Sequence, residues 1–142
     1  MLCEAAMQHP VQTLLETEGI AVAAERMRDA KVGFLPVCNP AGIAVGVLTD
    51  RDIVIRAVAG HLAPTTPVGH VMTHGIVSCR PKDPLLRAIG LMRERHLERV
   101  LCVDAVGRPV GVISLSEVAR YEDAIRMAAT VREIVLRSAS AA

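Results

Sequence analysis

The residues best suited to chemistry stand together in Gly46-Val47-Leu48-Thr49-Asp50-Arg51-Asp52-Ile53, where an apolar run breaks into a hydroxyl and alternating charges. The Thr49 hydroxyl can donate to a ligand oxygen, and the Asp52 carboxylate can accept two hydrogen bonds at once. Asp50-Arg51-Asp52 sets a cation between two acids where a strand hands over to a helix. Helix N-termini present free N–H groups and favour anions. The same residues have the form of a helix cap: in Thr49-x-x-Asp52 a hydroxyl takes a first-turn N–H and the acid three residues on reaches back. Both uses are compatible, since one carboxylate can cap in the unliganded protein and bind ligand otherwise.

Ser114-Leu115-Ser116-Glu117 repeats the pattern further along. Ser114-x-x-Glu117 reads as the better capping box, because Glu is the usual partner there, and capping alone accounts for it. A metal site is the leading rival. His70 and His74 are four apart, a spacing that places two imidazoles on one helix face, and Cys79 follows closely. Against it, Gly75 should end that helix and no third ligand is spaced to complete the set, so the expected metal set is empty. Catalysis finds no nucleophile, base and orienting group to assemble. The cluster suits binding rather than bond-breaking, and no enzyme activity is expected.

The elements that position these residues come in two copies. Residues 7–55 align with 72–120 without a gap at an offset of 65, and nine of the 49 pairs are identical, among them His9/His74, Met27/Met92, Gly42/Gly107 and Gly46/Gly111. Such self-similarity defines the organisation before any local reading does. Each copy predicts a short strand (Val11–Thr13; Ile76–Ser78), then a helix near Ile20–Val32 or Leu85–Leu97. Two strands around a tight turn follow (FLPVC-NPAG-IAVGVL; RVLCV-DAVG-RPVGVI), and a closing helix, Arg51–Ala59 or Ser116–Asp123. Asp83 is the natural cap of the helix that Pro84 opens. The fold class is therefore α/β in the α+β sense: two β-α-β-β-α units that can pack about a pseudo-twofold axis, each covering the sheet face its partner leaves open. The expected divisions are 1–60 for the first repeat with its lead, 61–67 for a Pro/Thr-rich linker, 68–123 for the second repeat, and 124–142 for a C-terminal helix and tail.

Composition narrows the partners. The chain has 142 residues, a mean hydropathy of +0.37, a formal charge of +1, no Trp, and Phe34 and Tyr121 as its only aromatic rings. Base stacking needs aromatic platforms and a polyanion needs a basic footprint, so nucleic acid is not an expected partner. No apolar run reaches the roughly 18 residues that span a bilayer, and no membrane association is expected. The opening MLCEAAMQHP has an acid at Glu4 and no basic segment, so it does not read as a secretory signal. The expected location is the cytoplasm, with Cys3, Cys38, Cys79 and Cys102 as reduced thiols serving as small buried hydrophobes. In the C-terminal segment Ala124, Met127, Ala128, Val131 and Val135 recur at helical spacing. That stripe must bury itself on its own chain or on a second copy, and a homodimer contact is preferred.

The repeat, the Met-x-His before each short strand, Leu35-Pro36-Val37 before the turn, and GVLTDRDI together resemble a cystathionine β-synthase (CBS) domain pair, the Bateman module, of the small stand-alone bacterial type. The likeness covers about Met7 to Tyr121. It implies that Gly-x-x-Thr/Ser-x-x-Asp closes an adenosine-nucleotide pocket, here through Thr49 and Asp52 with Asp50 and Arg51 beside them. It implies that Val11 to Thr13, with Pro36 and Val37, flank the adenine, and that Arg99 touches phosphate, although its counterpart Phe34 cannot. The second junction carries Leu115 where the first has its charged cluster, and Glu117 in place of Asp52, so Ser78, Ser114 and Glu117 form at most a weaker second site. No cofactor is obligatory. The implied regulatory ligand is an adenine nucleotide (AMP, ADP or ATP), S-adenosylmethionine or NAD, bridging the two repeats for a protein partner to read. The alternatives are a scaffold with vestigial pockets and a metal-binding member of the family.

Overall fold

A computed structural model describes residues 1–141, apart from the side chains of residues 124, 125 and 137–141. The chain is a mixed α/β protein with two small sheets. It divides into two compact units: Gln12–Ile76 with Val106–Pro109, and Met1–Val11 with Val77–Ala105 and Val110–Ala142.

In the first of these units, β1 (Leu14–Leu15) runs parallel to β2 (Phe34–Cys38), which pairs antiparallel with β3 (Ala44–Thr49), and β4 (Thr73–His74) completes the sheet. The short strand forms at Leu14–Leu15 rather than at the expected Val11–Thr13, because Leu14 is the residue that reaches the core, at 1% exposure. Helix α2 (Ile20–Ala30) buries Ile20, Ala23 and Met27, as its spacing requires. The β2–β3 turn is held by Asn39, whose Oδ1 accepts from the Ala41 and Ile43 N–H groups, with Gly42 at φ +82°. That is a conformation glycine adopts without strain. The closing helix is shorter and less regular than expected: one α-helical turn, α3 (Asp50–Asp52), continues as π-helix over Ile53–Val58. Leu14, Ile20, Met27, Leu35, Val37, Leu48, Val68 and Met72 are part of one buried cluster.

The other unit repeats the plan. β5 (Ser78–Cys79), again shifted from the expected Ile76–Ser78, pairs parallel with β6 (Arg99–Val103), and β7 (Pro109–Ser114) follows. Helices α4 (Leu85–Arg95) and α5 (Leu115–Val118) match α2 and α3. Asp83 does not cap α4: the N-cap is Pro84, and the Asp83 carboxylate instead accepts from the Arg80 N–H at 2.8 Å.

The segment that leads each repeat docks on the other repeat's elements. Leu85 N–H donates to the Met1 carbonyl at 2.9 Å, and Ile20 N–H donates to the Thr66 carbonyl at 3.0 Å. Gln8 bridges to Val112, as Thr73 pairs with Val47. Each pair maps onto the other at the offset of 65. Thus α1 (Cys3–Ala6) packs with the second copy's sheet, and Val68–His70, a 3-10 turn, with the first's. The lead and the linker satisfy helix N–H groups that would otherwise be unpaired, so neither is a passive connection.

Helix α6 (Ala124–Ala141) packs on α4 of its own chain, with an Arg93–Glu133 ion pair at 2.8 Å. Thr130 and Ile134 are buried, Met127 and Val131 half-buried, and Ala128 and Val135 exposed. The buried face is therefore rotated from the expected one and serves its own chain. Ala124 lies outside the described side chains. No described helix is long and apolar enough to cross a membrane. All four cysteines are free and buried.

Candidate functional site

Strand β3 ends and α3 begins at Thr49, and the sequence supplies both halves of the joint. Thr49 Oγ1 accepts from the Asp52 N–H at 3.1 Å, and Asp52 Oδ2 accepts from the Thr49 N–H at 3.0 Å. This is a complete reciprocal capping box. The other carboxylate oxygen, Oδ1, lies 3.8 Å from Arg56 Nε. Arg56 in turn donates to the carbonyls of Val71 and Met72 at 3.0 and 3.1 Å. Asp52 is thus fixed by its own backbone on one side and faces a guanidinium on the other, with its side chain 14% exposed. Asp50 Oδ1 accepts from the Arg51 N–H at 2.9 Å, and its carboxylate lies over Gly33, where an added Cβ would sit 2.7 Å from Oδ2. Arg51 is exposed.

The second junction departs from expectation. Ser114 Oγ accepts from the Glu117 N–H at 3.3 Å, but the Glu117 carboxylate does not return to Ser114. It accepts from Gln8 Nε2 at 2.8 Å and pairs with Arg120 at 3.5 Å, and the residue is 7% exposed. Asp52, not Glu117, closes the better box. The longer Glu side chain reaches an amide that the docked lead brings in. At the corresponding place in the other copy stands Thr73, too short to compete for Asp52. Ser114 Oγ lies 2.8 Å from Ser116 Oγ.

The remaining candidates divide between the units. Thr13, Pro36, Val37, Thr49, Asp50, Arg51 and Asp52 share one, whereas Val11, Ser78, Arg99, Ser114 and Glu117 belong to the other. Thr13 is exposed, and its carbonyl accepts from Arg26 at 2.9 Å. Pro36 and Val37 are buried in β2, and Val37 is fully enclosed in the core. Arg99 is exposed on β6 and Ser78 half-buried on β5. A surface groove beside α4, lined by residues including Leu86, Ile89, Tyr121 and Arg126, contains none of these residues.

The two histidines do not share a helix face. His70 ends the 3-10 turn, His74 lies on β4, and both are exposed. Their spacing of four meant a common face only on a continuous helix. Cys79 belongs to the other unit, where it is buried beside Cys102, with the two Sγ atoms 3.3 Å apart. Burial pushes the Cys3 thiol up to about 12, helped by its neighbour Cys79. Cys79 is raised further, first by its hydrogen bond with Cys102 and then by burial.

Two sheets built from a repeat, each with a strand handing over to a capped helix at a hydroxyl and an acid, define a tandem pair of small α/β modules. The chain belongs to the CBS domain family, whose profile matches residues 3–58 and 68–124. CBS domain-containing protein YhcV of Bacillus subtilis is 35% identical over 113 residues, covering 80% of this chain and 79% of that protein. Uncharacterized protein MJ1404 of Methanocaldococcus jannaschii is 33% identical over 88 residues, and the match spans 62% of this chain but only 21% of that one. Among solved structures, the CBS domain protein PAE2072 from Pyrobaculum aerophilum, complexed with AMP, superposes with a TM-score of 0.78 at 25% identity, covering 91% of this chain and 99% of that one.

Proposed function

We propose that this chain is a regulatory, non-catalytic module that senses an adenine nucleotide or related adenosyl ligand through the junction of Thr49 and Asp52. One observation carries the reading: the capping box holds a hydroxyl and a carboxylate side by side at a helix start, with the acid fixed before any ligand arrives. Preorganised polar groups lose little freedom on binding. The AMP complex of PAE2072 supports the ligand class. Thr13, Pro36, Asp50 and Arg51 are the further candidates of that unit, and Val11 and Arg99 those of the other; the Val37 side chain is enclosed in the core, so Val37 could contribute main chain alone. Ser78, Ser114 and Glu117 make a poorer site, because the Glu117 carboxylate already serves Gln8.

Ligand binding would shift the population of conformations that a partner reads, in a cytoplasmic protein acting as a homodimer. Calorimetric titration with AMP, ATP, S-adenosylmethionine and NAD tests the proposal, with thermal unfolding in parallel. One saturable site per chain for at least one of them is expected. Two equal sites would remove the asymmetry between the junctions, and no binding by any would favour a scaffold whose pockets are vestigial.

A further inference from the structure

Three of the four cysteines meet at one point in the core. Cys3 on α1, Cys79 on β5 and Cys102 on β6 are 0%, 2% and 0% exposed, and their Sγ atoms all lie within 4.8 Å of one another. Cys79 and Cys102 are direct partners across the parallel strand pair. The repeat supplies an internal control. At the offset of 65, the positions of Cys3, Cys79 and Cys102 are occupied in the other copy by Val68, Leu14 and Val37. Those three are fully buried aliphatic residues of the first sheet's core. The architecture therefore needs only hydrocarbon at these places, yet one unit fills all three with sulfur. Packing does not call for that choice, since a thiol buries less apolar surface than Leu or Val.

We propose that Cys3, Cys79 and Cys102 form a trithiolate site for a soft d10 metal ion, of the class of Cu⁺, Zn²⁺ or Cd²⁺. Thiolate sulfur selects such ions over hard cations. A zinc–sulfur distance of about 2.3 Å requires sulfurs about 3.8–4.0 Å apart, and the larger Cd²⁺ slightly more, between the 3.3 Å and 4.8 Å bounds seen here, so small side-chain rotations suffice. On binding, each thiol gives its proton to solvent as its sulfur bonds the ion, and no oxidant or reductant takes part. Entry needs α1 to open. That element is held over the cluster by backbone hydrogen bonds from Cys3 to Asp83 and from Glu4 to Pro81, both 2.9 Å, and by the exposed Lys82–Glu4 pair. Short elements held this way open locally without global unfolding.

The absence of Trp and the single Tyr leave a clear ultraviolet window for sulfur-to-metal charge transfer. The experiment titrates the reduced, full-length protein with Cd²⁺ alone in thiol-free buffer, reading that band and the unfolding temperature. The expected result is a band that saturates at one equivalent and a rise in unfolding temperature. The triple variant Cys3→Val, Cys79→Leu, Cys102→Val takes the residues of the other copy and should lose the band, whereas Cys38→Ala should retain it. Absence of a saturable band in the unsubstituted protein overturns the proposal, whether or not the triple variant folds. Loss of the band on replacing Cys38 alone overturns it as well.

Discussion

Gln8 donates its side-chain amide to Glu117 at 2.8 Å, across a sequence separation of 109 residues, and so binds the leading segment to the second junction. Removing the amide leaves a carboxylate at 7% exposure with only the long contact to Arg120. Gln8→Ala should lower the unfolding free energy by about 1–3 kcal/mol, the cost of unpairing a buried charged acceptor. Urea unfolding measures it. Thr73→Ala, at the matching position of the other copy, should cost less, because no carboxylate depends on that side chain.

Asp52 and Glu117 are the pair that separates capping from binding. Asp52→Asn keeps size but turns one acceptor into a donor. It should cost about 1 kcal/mol of stability through the box, and AMP affinity should fall roughly tenfold or more as one ribose hydroxyl meets a misplaced donor. Glu117→Gln should cost stability with little change in affinity. Equal affinity losses at the two positions, or none at Asp52, would reduce GVLTDRDI to a helix start.

Much of this was legible because the repeat made each element appear twice. Gly42 and Gly107 marked the turns, Ile20, Ala23 and Met27 marked a buried helix face, and Thr49-x-x-Asp52 marked the cap. What escaped was set by contacts distant in sequence. Nothing near Glu117 shows that Gln8 will claim its carboxylate, and nothing near Asp83 shows that the Met1 carbonyl will cap α4. The spacing of His70 and His74 implies a common face only on a helix, and the chain there is a turn followed by a strand. The cysteine cluster was hidden similarly, since Cys3 joins the others only after the lead docks on the second sheet. The 65-residue offset could have exposed it: the three cysteines align with three core positions of the other copy.

Gly46 should tolerate no side chain. A Cβ there would lie 2.5 Å from the Thr73 carbonyl oxygen and 2.8 Å from Met72 Sδ, in the stretch where β3 pairs with β4 through Gly46 and His74. The obstacle is main chain, which cannot rotate aside. Gly46→Ala should cost about 1–3 kcal/mol as overpacking. Hydrogen exchange should show lost protection at the Gly75 amide, which donates to Val45 alongside. Unchanged stability would mean that β4 moves aside freely.

The strand beside the candidate site depends on an acid–base pair whose response to pH can be signed. Arg26 donates to both oxygens of Glu18, at 2.8 and 2.6 Å, and also to the Thr13 carbonyl, while Glu18 accepts from the Leu15 N–H at 2.9 Å. The Arg26 hydrogen bond leads in holding the Glu18 carboxyl below its ordinary value of 4.5, with the Leu15 N–H assisting. A carboxyl depressed on folding contributes stability above its unfolded value and loses it as pH falls through the folded one. Arg26→Met keeps the stem but removes the donors, so it should be less stable than the unsubstituted protein near neutrality. The gap between the two should narrow as pH drops below 4.5. Urea midpoints of both proteins across that range decide the matter: a gap independent of pH would assign the Arg26 contribution to its bond with Thr13 and to packing, not to the Glu18 charge.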